Sequence, residues 1–197
     1  MHFIETIKNY IPKCDQEKHD REIILDYIKD YEFNILTREN RIAHMTSSGL
    51  ILNETLDKIL MVHHNIYQTW AWTGGHADGN SDLLEVAISE GLEETGIEFL
   101  EPLSTEPLAI DILPVLGHIK RGHYVSAHLH LNITYVLIGD ESKSLVIKED
   151  ENSGVKWILV SDLKRYSNEL YMIDVYLKII ESARNFKGLQ RISKDFK

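Results

Sequence analysis

The chain has 197 residues, 43% of them hydrophobic and 26% charged. That composition fits one soluble globular domain with extensions, long enough to bury a core without disulfide staples. Its 31 Asp and Glu against 21 Lys and Arg leave a formal charge of −10. This balance excludes the basic footprint of a general nucleic-acid binder and the polybasic face of a membrane binder.

Cys14 is the only cysteine, so neither an intrachain disulfide nor a Cys-based zinc cage is available. Residues Met1–Tyr10 lack the apolar run of a signal peptide. No apolar stretch approaches the about 18 residues that a membrane helix needs. A cytoplasmic protein is the expectation.

The first forty residues read as helical. Ile23, Ile24, Tyr27, Ile28 and Tyr31 recur at helical spacing, and Asp20 is placed to cap that helix. Pro12 separates it from a shorter apolar patch of Phe3, Ile4 and Ile7. Two strand-like runs follow, Ala43–Leu52 and Lys58–His64, joined by turn chemistry over Asn53–Asp57 into a predicted hairpin. Trp70-Ala71-Trp72-Thr73-Gly74-Gly75 then reads as a strand end running into a glycine turn. Leu83–Thr95 is the next predicted helix. Strands are predicted near Leu108–Val115, Val125–Ile138 and Val155–Val160. A last helix is predicted over Asn168–Asn185, with Leu170, Ile173, Leu177 and Ile180 on one stripe and Gly188 as its stop. The organisation is therefore a helical extension over 1–42, a mixed-sheet domain over 43–186 and a basic tail over 187–197 that frays.

Segment 74–97 breaks two local rules at once. It carries Asp78, Asp82, Glu85, Glu90, Glu93 and Glu94 and no Lys or Arg. Taken as a helix from Asp82 with Ser81 as its cap, it puts Leu84, Ala87, Ile88, Gly91 and Leu92 on one face. Glu90, Glu93 and Glu94 fall together on another face, spanning about 100°. Like charges at these spacings repel, and the C-terminal half of a helix disfavours anions. Rule-breaking of this kind is expected where function demands it. A divalent cation resolves the conflict, and Mg²⁺ takes oxygen ligands. The plain alternative is a solvated acidic face. Gly74, Gly75 and Gly79 before the helix permit close backbone approach, and Gly96 is placed to end it.

This pattern resembles the box of the Nudix hydrolase family, G-x5-E-x7-R-E-U-x-E-E-x-G-U, where U is a bulky aliphatic residue. With Gly75 as the first glycine, Glu90, Glu93, Glu94, Gly96 and Ile97 fall in register, six of nine fixed positions over 23 residues. Ser81, Ser89 and Gly91 depart from it. In the family the first Glu and the Arg form a salt bridge, so losing both leaves no unpaired buried charge. Gly91 costs roughly 1 kcal/mol in helix propensity, and close packing of a neighbour would account for it. The upstream hairpin, Trp72-Thr73-Gly74-Gly75-His76 and Val155-Lys156-Trp157 extend the resemblance over about residues 40–180.

The resemblance implies an α/β/α sandwich with a mixed sheet and a Mg²⁺- or Mn²⁺-dependent hydrolase. The implied reaction is attack of water on the diphosphate of a nucleoside diphosphate derivative. Glu90, Glu93 and Glu94 would hold the cations, helped by the Gly74 carbonyl. Family members often place a further acid nearby, for which Glu151 in the run Glu149-Asp150-Glu151 is the candidate; a solvated turn is the alternative. A binding module on the same fold, without turnover, is the competing reading, motivated by Ser81 and Ser89.

Other constellations leave alternatives open. His128 and His130 alternate with Leu129 and Leu131, so His128, His130, Asn132 and Thr134 share one strand face. That face is solvated, or walls the substrate cleft, or holds a separate metal, for which no third ligand has motif spacing. Lys120, Arg121 and His123 are either phosphate contacts or surface charge. Trp70 and Trp72 are core residues or stack on a nucleobase. Gly75, His76, Arg121, His128 and His130 are the expected substrate contacts. The partner is a small nucleoside diphosphate derivative, with no nucleic acid polymer and no membrane; apolar N-terminal helices leave room for a homodimer.

Overall fold

The computed structural model describes residues 2–120 and 122–195. Arg121 thus lies outside the described residues. Helix α1 (His2–Asn9) and helix α2 (Asp15–Tyr31) come first, parted at Pro12. Strands β1 (Ala43–Leu52) and β2 (Lys58–His64) form the expected hairpin, pairing Leu52 with Ile59. Strands β3 (Thr69–Ala71) and β4 (Thr73–His76) lead to helix α3 (Leu83–Thr95). Then follow β5 (Glu101–Pro102), β6 (Ala109–Val115), β7 (His118–Lys120), β8 (His123–Val125), β9 (His128–Ile138) and β10 (Asn152–Leu159). A short helix α4 (Leu163–Tyr166) precedes the long α5 (Leu170–Asp195). Among the described residues, no helix is long and apolar enough to cross a membrane.

Eight strands make one mixed sheet, in the path β10-β2-β1-β9-β5 with β3 on β2, β4 on β1 and β6 on β9. β1 and β9 run parallel over Ala43–Leu52, and the other pairs are antiparallel. The result is an α/β/α sandwich with a core on each face. One core joins Phe3, Ile7, Ile24 and Ile28 of the N-terminal helices to Ala87 of α3 and to Met45, Ile51, Leu131 and Ile133 of the sheet. The other joins Leu50, Leu52, Ile59 and Val136 to Met172, Tyr176, Ile179 and Ile180 of α5. Alternate residues of β1 serve opposite cores, as the pleat requires.

Several sequence expectations are corrected. Asp20 does not cap α2: the helix begins five residues earlier, and the Asp20 carboxylate accepts a 2.9 Å hydrogen bond from the Ile112 N–H of β6. Tertiary pairing, not local capping, uses that side chain. The predicted strand 125–138 is broken, because β8 turns back on β7 before β9 starts at His128. Gly188 does not stop α5, which continues to Asp195. A helical glycine costs about 1 kcal/mol, and hydrogen bonds from Arg184 to the Leu56 carbonyl and from Lys187 to the Glu54 carbonyl hold this stretch. The buried stripe of α5 is Met172, Ile173, Tyr176, Ile179, Ile180 and Ala183, while Leu170 and Leu177 are exposed.

The N-terminal helices are tied into the fold by a buried ionic cluster. Lys178 of α5 lies 3.1 Å from Glu17 of α2 and 2.6 Å from Asp111 of β6. Glu17 also accepts hydrogen bonds from Tyr10 Oη at 2.6 Å and from the Lys13 N–H at 2.8 Å. Both carboxylates are essentially inaccessible. Removing the shared cation strands two buried charges, which typically costs 3–5 kcal/mol. Lys178→Met is therefore expected to lower unfolding free energy by roughly that amount, read by urea denaturation at pH 7. A change within 0.5 kcal/mol, the range of ordinary surface substitutions, would refute this role.

Candidate functional site

Helix α3 is set by local chemistry at both ends. Its N-cap is Asp82, not Ser81: the Asp82 carboxylate accepts the Glu85 N–H at 3.0 Å. A short carboxylate is as good a cap as a hydroxyl, so a one-residue shift costs nothing. Gly96, at φ +66°, closes the other end and donates its N–H to the Leu92 carbonyl at 2.9 Å. The neighbouring terminal carbonyls are satisfied from the β9–β10 connection and the first residue of β10. The Val146 N–H donates to Thr95 O at 2.8 Å and Asn152 Nδ2 donates to Glu94 O at 2.9 Å. These donors meet helix-end acceptors that would otherwise be orphaned.

Glycine lets α3 sit close to the sheet. A Cβ on Gly91 would stand 2.8 Å from Leu100 Cδ1 and 3.3 Å from Ile51 Cδ1. The departure at Gly91 thus has its explanation in packing. A Cβ on Gly75 would stand 2.0 Å from Glu90 Oε1. The β4 backbone and the Glu90 carboxylate occupy adjoining space that only glycine leaves free.

Three carboxylates converge there. One oxygen each from Glu90, Glu94 and Glu151 lie within 4.8 Å of one another, a grouping able to hold a metal ion. Glu94 is 7% exposed, and its Oε2 is buried without a hydrogen-bond partner. Burial first, then the Glu90 and Glu151 charges, push its pKa well above the usual carboxylate value, against a hydrogen bond from the Gly74 backbone. Burial, then Glu151 and Glu93, push Glu90 up as well. The helix turns Glu94 toward the sheet with Ala87 and Gly91, whereas Glu93 points outward and pairs with Lys148 at 3.1 Å. Lys148 also lies 3.3 Å from Glu151. The structure therefore brings Glu90, Glu94 and Glu151 together and places Glu93 at their rim. An all-oxygen set with an unsatisfied buried acceptor fits Mg²⁺ or Mn²⁺.

The family model described as the NUDIX domain matches residues 43–178. The chain belongs to the Nudix family. No curated protein sequence matches it. Solved structures show the same fold at low identity. A C. elegans Ap4A hydrolase aligns with TM-score 0.52 and 15% identity over 73% of this chain and 97% of that one. A Clostridium perfringens hydrolase of the NUDIX family gives 0.50 and 24% over 74% and 97%. The E. coli dihydroneopterin triphosphate pyrophosphohydrolase gives 0.50 and 13% over 69% and 94%.

Within this Nudix frame, Ser89 is exposed and Ser81 half-buried, so neither leaves a buried charge unpaired. Glu85 accepts a hydrogen bond from Asn80 Nδ2 at 3.0 Å. Of the readings left open for the His128–Thr134 face, the solvated one fails over its inner half. Asn132 and Thr134 are buried, and Asn132 Oδ1 accepts from Thr46 Oγ1 at 2.8 Å and Ser48 Oγ at 2.9 Å. His128 and His130, at the outer end of that face, meet His44 of β1 and His76 of β4. Burial, then neighbouring histidines, lower His130 to about 2; burial also lowers His44. Sequence spacing missed His44 because its partner strand is 86 residues away, paired in the sheet as His44 with His130. It also missed Lys148 and Asn152, whose roles arise only when β10 reaches the end of α3. Trp70 and Trp72 pack against the α5-side core, Trp72 edge-on to Tyr176 with ring centroids 5.2 Å apart.

The raised Glu94 pKa has a consequence for stability. Unfolding returns the group to its ordinary value of 4.5, so the folded state holds the extra proton between the two values. Stability falls as pH rises through that window, and the full cost is present above it. Metal-free Glu94→Gln should therefore melt higher than the wild type at pH 8, with the gap closing toward pH 4 and with added Mg²⁺. Thermal melts across that range test this; a variant no more stable at pH 8 than the wild type would contradict it.

Proposed function

We propose that this Nudix protein is a divalent-metal-dependent hydrolase of nucleoside diphosphate derivatives. The reading is carried by the convergence of Glu90, Glu94 and Glu151 around a buried, unsatisfied carboxylate oxygen. Glu90 and Glu94 would hold Mg²⁺ or Mn²⁺, with Glu151 and the Gly74 backbone completing the set. A bound ion supplies phosphate charge neutralisation and a water of lowered pKa.

The chain's own residues do the positioning. Gly75 leaves room for Glu90, Asn152 fixes the end of α3, and the turn into β10 delivers Glu151. Glu93 would join by releasing Lys148. That exchange is inexpensive, because Glu93 is largely exposed and surface ion pairs contribute about 0–1 kcal/mol. Attack of water on a bridging-diphosphate phosphorus gives two phosphate-bearing products. The structures of like fold named an Ap4A hydrolase and a dihydroneopterin triphosphate pyrophosphohydrolase are in keeping with that class of bond. Specificity would lie in residues 1–42 and in the segment 114–127 that carries the β7–β8 hairpin, since function resides in sites grafted on the fold.

The test is a screen of nucleoside diphosphate derivatives with Mg²⁺ and with Mn²⁺, with products identified by mass spectrometry. Turnover should fall at least about tenfold in Glu94→Gln and in Glu93→Gln while the fold is kept. Wild-type turnover in both variants would remove the assignment. Nucleotide-induced thermal stabilisation without any product would instead favour the binding module that Ser81 and Ser89 motivate.

A further inference from the structure

A second cluster of ligating side chains lies where β4, β1 and β9 run side by side. His44 of β1 stands beside His130 of β9 in the parallel register. His76 of β4 stands opposite Thr46, two residues along β1 from His44. His128 precedes His130 by two. Residues two apart in a strand share a face, so all four rings project from one side of the sheet. Gly75 and His76 are consecutive in β4, so this is the side opposite to the one on which Gly75 meets Glu90.

We propose that His44, His76, His128 and His130 form a tetrahedral all-nitrogen site for a zinc-class transition-metal ion, distinct from the carboxylate site. One ring nitrogen from each lies within 4.8 Å of every other. A Zn–N bond of about 2.0–2.1 Å puts each ring centroid about 3.2 Å from the ion, and a tetrahedral pair of rings then has centroids about 5.2 Å apart. Five of the ring pairs have centroids 5.0–5.3 Å apart. The centroid spacing matches that of four ligands around one ion.

Their hydrogen bonds prepare them for it. His44 Nδ1 lies 2.9 Å from the Asn40 carbonyl oxygen, and His128 Nδ1 lies 2.8 Å from the Ser126 carbonyl oxygen. A carbonyl only accepts, so each Nδ1 carries the proton and each Nε2 keeps its lone pair. Metal-binding histidines are commonly oriented in this way. The Nε2 atoms of His44 and His130 are buried and have no hydrogen-bond partner. A buried unsatisfied nitrogen costs stability, and coordination would remove that cost at two rings together. Imidazole donors select zinc, copper, nickel or iron over magnesium, so the two sites would sort different ions.

The ion would clamp three neighbouring strands at the point where the chain leaves β4 for α3. This assignment does not rest on the hydrolase reading. It gives His76, His128 and His130 a role as ligands in place of substrate contacts.

The test uses untagged full-length protein, stripped with chelator and titrated with Co²⁺ alone. One equivalent should develop the visible absorption of tetrahedral Co²⁺ in the wild type and in Glu94→Gln. His128→Ala, folded by circular dichroism, should bind at least about tenfold more weakly. Zn²⁺ should raise the wild-type melting temperature, and raise that of His128→Ala by less at the same concentration. Imidazole ¹⁵N signals of the wild type, followed with Zn²⁺, provide a reading that needs no variant: four rings should shift together at one equivalent. Absence of the tetrahedral bands, bands that survive His128→Ala but vanish in Glu94→Gln, or fewer than four rings shifting would overturn the site. Failure of the hydrolase screen would leave these outcomes unaffected.

Discussion

The contact of α3 with the β1–β4 edge of the sheet is the constraint on which the rest of the site depends. Ser47 Oγ donates to the Leu83 carbonyl at 2.5 Å, anchoring the first turn of the helix to β1. A Cβ at Gly49 would meet the Ala87 carbonyl at 3.1 Å, and a Cβ at Gly91 would meet side chains of the core at 2.8 Å. Small residues on both surfaces bring the helix close. That closeness buries Glu94 and seats Glu90 in the space Gly75 leaves. Helix and strand with ordinary side chains at these positions would stand farther apart, and the carboxylates would relax into solvent. The clustering of like charge is thus a result of packing that the core maintains at its own cost.

The two faces of the sheet carry different donor chemistry for a related reason. Along β4, Gly75 faces α3 and His76 faces away, so the pleat separates carboxylates from imidazoles within one residue. Oxygen donors sit with a helix terminus, a lysine and the connection that leads from β9 into β10. Nitrogen donors sit on strands alone, where register fixes their spacing more tightly than a loop does. Imidazole nitrogens suit a zinc-class ion, and carboxylate oxygens with an exposed rim suit a hard ion that keeps some of its waters.

What was legible in the sequence follows the range of each interaction. Glu90, Glu93, Glu94 and Gly96 act within one helix, and together with Gly75 and Ile97 they carry the resemblance to the family. The hairpin of β1 and β2 was legible because its turn is local. Glu151 was ambiguous because an acidic turn has the same composition whether or not another element meets it. The histidine group was illegible for a sharper reason. Alternation along β9 identifies His128 and His130, but His44 and His76 join them only through strand pairings across tens of residues. The cap of α3 and the end of α5 were misplaced by rules of local preference worth about 1 kcal/mol each, which tertiary contacts readily override.

The N-terminal helices show the same override in its strongest form. By composition they read as an extension, free to pack elsewhere. In the structure, Tyr10, Glu17 and Asp20 all turn inward. Asp20 supplies an acceptor to the β6 backbone, and Lys13 Nζ donates to the Leu108 carbonyl at 2.7 Å. Phe3, Ile7, Ile24 and Ile28 complete the same core that α3 closes. Those side chains are buried within this chain, while Ile23 and Tyr31 of the same stripe stay exposed. β6 lies between those helices and β9, and β9 carries two of the four histidines. The extension thereby braces the strand on which the nitrogen cluster is built, which makes it a structural part of the site's scaffold.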